Sequence, residues 1–102
     1  MGEIGQRVGA ILSANDDTVE FLGYGVYKGD YPPKEAVGFM AKALTKAKVP
    51  NPQIKLDSGG VVYGCECWWG PEEEIKKEIE KYKKIKKVNI DEVRKSYIGK
   101  AD

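Results

Sequence analysis

The sequence predicts an α+β domain: a mostly antiparallel sheet in the order β-β-α-β-β-α-β, with helices on one face and a short C-terminal helix. Three observations predict it. Segments rich in β-branched and aromatic side chains come in two pairs, each pair joined by a short polar turn. Each pair is followed by a proline-opened stretch with helical periodicity. Finally, 102 residues at 41% apolar and 32% charged suffice for one core but not for a second domain, so residues 1–102 read as a single domain with its structured part at about 7–90.

The first pair is Arg7–Ser13 and Thr18–Tyr27, separated by Asn15-Asp16-Asp17, whose side chains bond to their own backbone and favour turns. Gly23 and Gly25 inside the second segment mark a bulge or a close approach. Pro32-Pro33 then opens a helix, because proline lacks only an N–H that the first turn leaves unpaired. Val37, Met40, Ala41 and Leu44 fall at i, i+3, i+4 and i+7 and form its inward stripe; Pro50 and Pro52 end it.

The second pair is Gln53–Leu56 and Val61–Trp69, across the turn Asp57-Ser58-Gly59-Gly60. Alternation sets Val61, Tyr63, Cys65 and Cys67 on one side and Val62, Gly64, Glu66 and Trp68 on the other. Gly70-Pro71 starts the second helix: Glu72-Glu73-Glu74 suit its positive end, and Ile75, Ile79 and Tyr82 form its apolar stripe. Ile85–Ile90 reads as a last strand with Val88 and Ile90 inward. Asp91 reads as the cap of a short helix over Glu92–Tyr97, before a frayed tail.

Composition excludes several chemistries. There is no histidine, so no Ser-His-Asp or Cys-His mechanism operates within one chain. Cys65 and Cys67 on an extended strand lie at the outer edge of disulfide reach and are two ligands short of a closed zinc site, so they read as small core thiols. No cofactor and no metal is called for. Seventeen basic against sixteen acidic residues leave a formal charge of +1, which argues against a nucleic-acid partner. The lysines between Lys76 and Lys87 alternate with Glu78 and Glu80 and read as a solvated face. Apolar runs fall far short of the roughly 20 residues of a membrane span. Met1-Gly2-Glu3 opens neither a secretory signal nor a myristoylation pattern, so the expected location is the cytoplasm.

The candidate site is aromatic and glycine-rich. Phe21–Pro33 sets Tyr24, Tyr27 and Tyr31 among glycines before one helix; Gly64–Glu74 sets Trp68 and Trp69 before the other. Adjacent tryptophans on a strand point to opposite faces, so both cannot enter one thin core. Planar ligands stack on such rings, each base–aromatic stack contributing roughly 1–3 kcal/mol. Asp30 and Glu66 are the candidate acceptors for a ligand's amino groups, and Lys34 or Arg7 the candidate phosphate contact. Tyrosine and tryptophan are equally the anchors of subunit interfaces, so pocket and interface both stand as readings. The glycines match neither the dinucleotide fingerprint nor the P-loop.

The segments F-L-G-Y-G-V-Y-K-G-D and G-C-E-C-W-W-G-P-E, together spanning roughly Arg7 to Ile90 with what surrounds them, resemble small uncharacterised proteins encoded by bacteriophages and prophages. The resemblance implies a compact non-catalytic protein of the host cytoplasm, of the kind that blocks host defence, in some cases as a sponge for nucleotide signals. The sequence therefore yields three expectations. The first is a homo-oligomer that sequesters a small planar ligand, such as a nucleotide, on Tyr24, Tyr27, Tyr31, Trp68 and Trp69. The second is a protein-interaction or structural component that uses the same aromatics as anchors. The third, an enzyme with Glu66 as acid–base group, lacks a second carboxylate at a recognisable spacing.

Overall fold

A computed structural model describes the backbone of residues 3–101 and the side chains of residues 3–96. Met1 and Gly2, on which the reading of the chain start partly rests, and Asp102 lie outside the described residues. The elements run β1 (Arg7–Ala14), β2 (Thr18–Tyr31), α1 (Phe39–Lys46), β3 (Asn51–Leu56), β4 (Val61–Tyr63), β5 (Trp68–Pro71), α2 (Glu72–Ile79), β6 (Lys84–Lys87) and α3 (Ile90–Ala101). The α+β class, the mostly antiparallel sheet and the C-terminal helix are as the sequence predicts.

The strand order is β4-β3-β2-β1-β5, antiparallel throughout, with β6 added parallel to the first residues of β2. β4 and β5 stand at opposite ends of this path, yet only residues 64–67 join them. Four strand spacings in a flat sheet cover about 19 Å, more than a tight turn of four residues reaches. The sheet therefore rolls up until its ends meet. Its inner face holds Val8, Ala10, Leu22, Tyr27, Ile54, Leu56 and Val62, with Ile90 of α3 closing the open end. The outer face carries α2 over Ile11, Val19 and Phe21, and α1 over Tyr63. Rolling buries the inner face against itself.

Glycine makes the roll possible at two places. Gly23, at φ +134°, is the bulge that sets Leu22 and Gly23 together opposite Ala10, so Phe21 and Tyr24 both emerge on the outer face. At Gly25 a Cβ would fall 2.9 Å from the Leu56 Cα, so β3 can approach only a residue without one.

Four predicted elements are corrected. The first helix does not start at Pro32-Pro33. Pro33 and Ala36 are buried, Glu35 accepts the Tyr63 hydroxyl, and Gly38 turns at φ +102° before Phe39 begins the helix. Of the predicted inward stripe only Ala41 is buried, because Met40 lies about 100° round the helix from it.

The strand predicted over Val61–Trp69 breaks after Tyr63, where the Glu66 N–H donates to the Tyr63 carbonyl at 2.8 Å. Cys65 and Cys67 thus sit in a turn, Cys65 exposed and Cys67 half-buried. The predicted last strand stops at Lys87, and the helix starts at Ile90 and runs on through Ala101 in place of a frayed tail. Its cap is Asn89, whose Oδ1 accepts from the N–H groups of Asp91 (2.9 Å) and Glu92 (3.2 Å), the arrangement of an N-cap. No helix among the described residues is long and apolar enough to cross a membrane.

Candidate functional site

β5 lies against β1 with Trp69 opposite Ala10 and Trp68 opposite Ile11. The pleat sends Trp69 inward and Trp68 outward, as two neighbouring indoles on a strand require. Trp69 stacks on Tyr27 at 5.4 Å with 16° between ring planes, which joins two strands that do not neighbour each other. This stack is part of the core. The Tyr27 hydroxyl donates to Asp30 Oδ1 at 2.6 Å, which raises the phenol's pKa and occupies an oxygen of Asp30.

The other predicted site residues do not converge on that stack. Tyr24 faces outward, edge-on to Phe21 at 4.9 Å. Burial and the nearby Glu72 push its pKa up. Tyr31 is half exposed at the far end of β2, opposite Asn51, and Lys34 lies exposed in the turn beyond. Arg7 donates to Asp57 at 2.8 and 2.7 Å and to Glu72 at 3.0 Å.

Glu66 is the most firmly committed. Its Oε2 accepts from Arg94 Nε at 2.9 Å and its Oε1 from Arg94 Nη2 at 2.7 Å and the Tyr63 N–H at 3.1 Å. Arg94 also donates to the Val61 carbonyl at 2.7 Å, so one buried guanidinium ties α3 to the turn that closes the roll. Burial works against the charge on Arg94, and Glu66, with Asp91 and Glu35 behind it, more than compensates, leaving its pKa raised. A carboxylate with both oxygens held by a permanent cation is tied into the structure.

Sequence reasoning missed Arg94, since an arginine in a helix predicted to be peripheral carries no signal of burial. Cys67 is similarly engaged, its thiol donating to the Tyr63 carbonyl at 3.4 Å. Burial first, and Glu66 second, push that thiol up to about 12. The Cys65 thiol is also raised, mainly by burial. Among the described residues no group of three His, Cys, Asp or Glu side chains could hold a metal ion.

What stays open is the outer surface of the β5–α2 junction. Trp68 is 56% exposed. It borders a shallow groove of about 420 Å³ lined also by Pro71, Glu74, Ile75, Lys77 and Glu78. Helix α2 is seated there because β1 carries Gly9, where any Cβ would stand 2.7 Å from Ile75 Cγ2. A larger open cleft, about 1050 Å³, lies where α3 meets β6 and is lined by Leu12, Leu22, Val88 and Ile90 with Lys86 and Glu92 at hand. It joins residues of β1, β2, β3, β6 and α3, which lie far apart along the chain, so nothing in the sequence announced it. Chemically, the groove offers an indole face and a mixed-charge border suited to recognition, with no nucleophile–base pair.

Comparison with protein-family models, with curated proteins and with solved structures finds no match for this chain.

Proposed function

We propose that this chain is a non-catalytic protein-interaction module whose contact is anchored by Trp68. One observation carries the reading: Trp68 stands 56% exposed beside a shallow groove, while Trp69, Tyr27, Asp30, Glu66 and Arg7 are each held by partners inside the molecule. Exposed tryptophan on an otherwise charged surface is the residue type that dominates binding energy at protein interfaces. Small-molecule sites bury most of their ligand, and a groove this open does not. Under the resemblance to phage-encoded proteins, the partner is a host protein and the effect a blockade of defence in the host cytoplasm.

A second reading, sequestration of a planar ligand such as a nucleotide, keeps one observation in its favour. The groove of about 420 Å³ falls in the size range of ligand pockets, with Trp68 for stacking and Lys77 for an anionic group.

A photo-crosslinking phenylalanine analogue at position 68, compared with the same analogue at the exposed Lys55, tests the first reading. A discrete protein adduct from position 68 alone is expected, and nucleotides should leave the tryptophan fluorescence unchanged. Saturable quenching by a nucleotide, or no adduct at position 68, overturns the reading.

A further inference from the structure

Helix α1 is turned inside out: it buries Ala41 and shows its largest apolar side chains to water. Phe39 is 88% and Met40 66% exposed. At about 100° per residue, Phe39, Ala43, Ala47 and Met40 share one arc of about 100°, with Lys42 and Lys46 along one border of it. All six are exposed. Past the last turn, the Lys48 N–H donates to the Thr45 carbonyl at 3.0 Å and the Val49 N–H to the Leu44 carbonyl at 2.9 Å. That closure folds the chain back on the helix end and holds the exposed Lys48 and Val49 there.

The charge of this segment has one sign. Between Tyr31 and Pro50 the chain carries four lysines and one acid, which leaves thirteen basic and fifteen acidic residues elsewhere. A chain of almost no net charge is therefore polarised here. Lys34, Lys42, Lys46 and Lys48 are exposed, and among the described residues none of them makes an ion pair. The one acid, Glu35, accepts the Tyr63 hydroxyl.

We propose that α1 lies on an anionic lipid surface, with Phe39 and Met40 inserted at the boundary of headgroups and acyl chains and Lys42, Lys46 and Lys48 among the acidic headgroups. Shape and charge select this partner together. The arc is a ridge of protruding side chains, and neither cleft described above includes a residue of α1. A folded protein would have to present a matching recess, whereas a fluid interface yields to whatever protrudes. Apolar groups outermost with lysines beside them is the layering of an interfacial helix. Lysine stems run along the apolar phase while the ammonium groups stay with the headgroups, and each adds to attraction by an anionic leaflet. The phosphates of a nucleic acid would answer the lysines but offer Met40 no apolar phase. Eight residues cannot cross a bilayer, so α1 attaches to the surface, and reversibly. Nothing in the proposal depends on Trp68.

Flotation with lipid vesicles tests this, with circular dichroism as a check on folding. The wild type is expected to float with vesicles of equal parts phosphatidylcholine and phosphatidylserine, to stay behind with pure phosphatidylcholine, and to detach as salt rises. Phe39→Ser/Met40→Ser keeps every charge and should weaken binding about tenfold or more through the lost insertion. Lys42→Glu/Lys46→Glu keeps the large apolar side chains and should weaken it at least as much. Trp68→Ala and Lys83→Ser/Lys84→Ser, which alter other elements, should bind as the wild type does. A wild type that ignores the mixed vesicles, or floats equally with neutral ones, overturns the proposal. Binding that survives both α1 variants, or is lost only with Lys83→Ser/Lys84→Ser, overturns it too. Binding to soluble polyglutamate as tight as to the mixed vesicles would mark an acidic protein as the partner and overturn it as well.

Discussion

The two strand-to-helix junctions of this molecule are built from similar residues and end in opposite states. Each has aromatics, glycine and proline ahead of a short helix. At the second, Pro71 ends β5 and Glu72 starts α2 with no linker, and Ile75 and Ile79 sink into the outer core. At the first, residues 32–38 intervene, and α1 reaches the sheet only through Ala41, beside Ala36 and Tyr63. The difference lies in the surface each helix meets. Gly9 leaves a depression that Ile75 fills, whereas α1 meets the face of a large tyrosine. A helix is seated by the surface opposite it, and its own stripe is only half of the match.

Three substitutions separate the two junctions. The largest effect belongs to Ile75→Ala, which empties the space above Gly9 and should cost about 2–5 kcal/mol in urea unfolding. Met40→Ala removes an apolar residue of similar size from α1 and should stay within about 0.5 kcal/mol of the wild type, since that side chain is already in water. Equal costs would break the comparison.

Gly9→Ala approaches the same seat from below. The new methyl would stand 2.7 Å from Ile75 Cγ2 and 3.1 Å from the Tyr24 ring, so α2 or the ring must shift. The expected cost is about 1–3 kcal/mol. A neutral result would mean that the depression is not what positions α2.

How far these junctions could be read in advance depends on how local their causes are. The turn at Asp57–Gly60, the bulge at Gly23 and the start of α2 at Pro71 are decided by residues that lie within them, and all were legible. Asn89 was legible too, being followed three residues later by Glu92 in the pattern of a capping box, but Asp91 drew the assignment. The turn at residues 64–67 was not legible. What ends β4 there includes the capture of Glu66 by Arg94, twenty-eight residues away. The late start of α1 has the same character, since Glu35 leaves the helix to meet Tyr63, again twenty-eight residues distant. The candidate site divides along the same line: the opposite orientation of the two indoles follows from strand geometry alone. Which candidate acceptors were already spoken for depended on the roll of the sheet.

The loss of a single hydroxyl sharpens the comparison most, because it concerns the fastening of α1. Tyr63 is 1% exposed; its hydroxyl donates to Glu35 and accepts from Gln53 Nε2 at 3.0 Å. Burial, then the Glu35 hydrogen bond, push its pKa up to about 12. An unfolded tyrosine ionises near 10, so between these two values the folded chain holds a proton that the unfolded chain has lost. The stability from this source is complete below pH 10 and disappears as pH rises toward 12. Tyr63→Phe should cost about 1 kcal/mol at neutral pH and flatten the alkaline limb of the stability profile between those values. Amide exchange should quicken in Phe39–Lys46 and stay unchanged in α2, where no contact depends on that hydroxyl. Unaltered exchange in α1 would show that Ala36 and Ala41 suffice to hold it, and that its weak seating comes from small buried side chains alone.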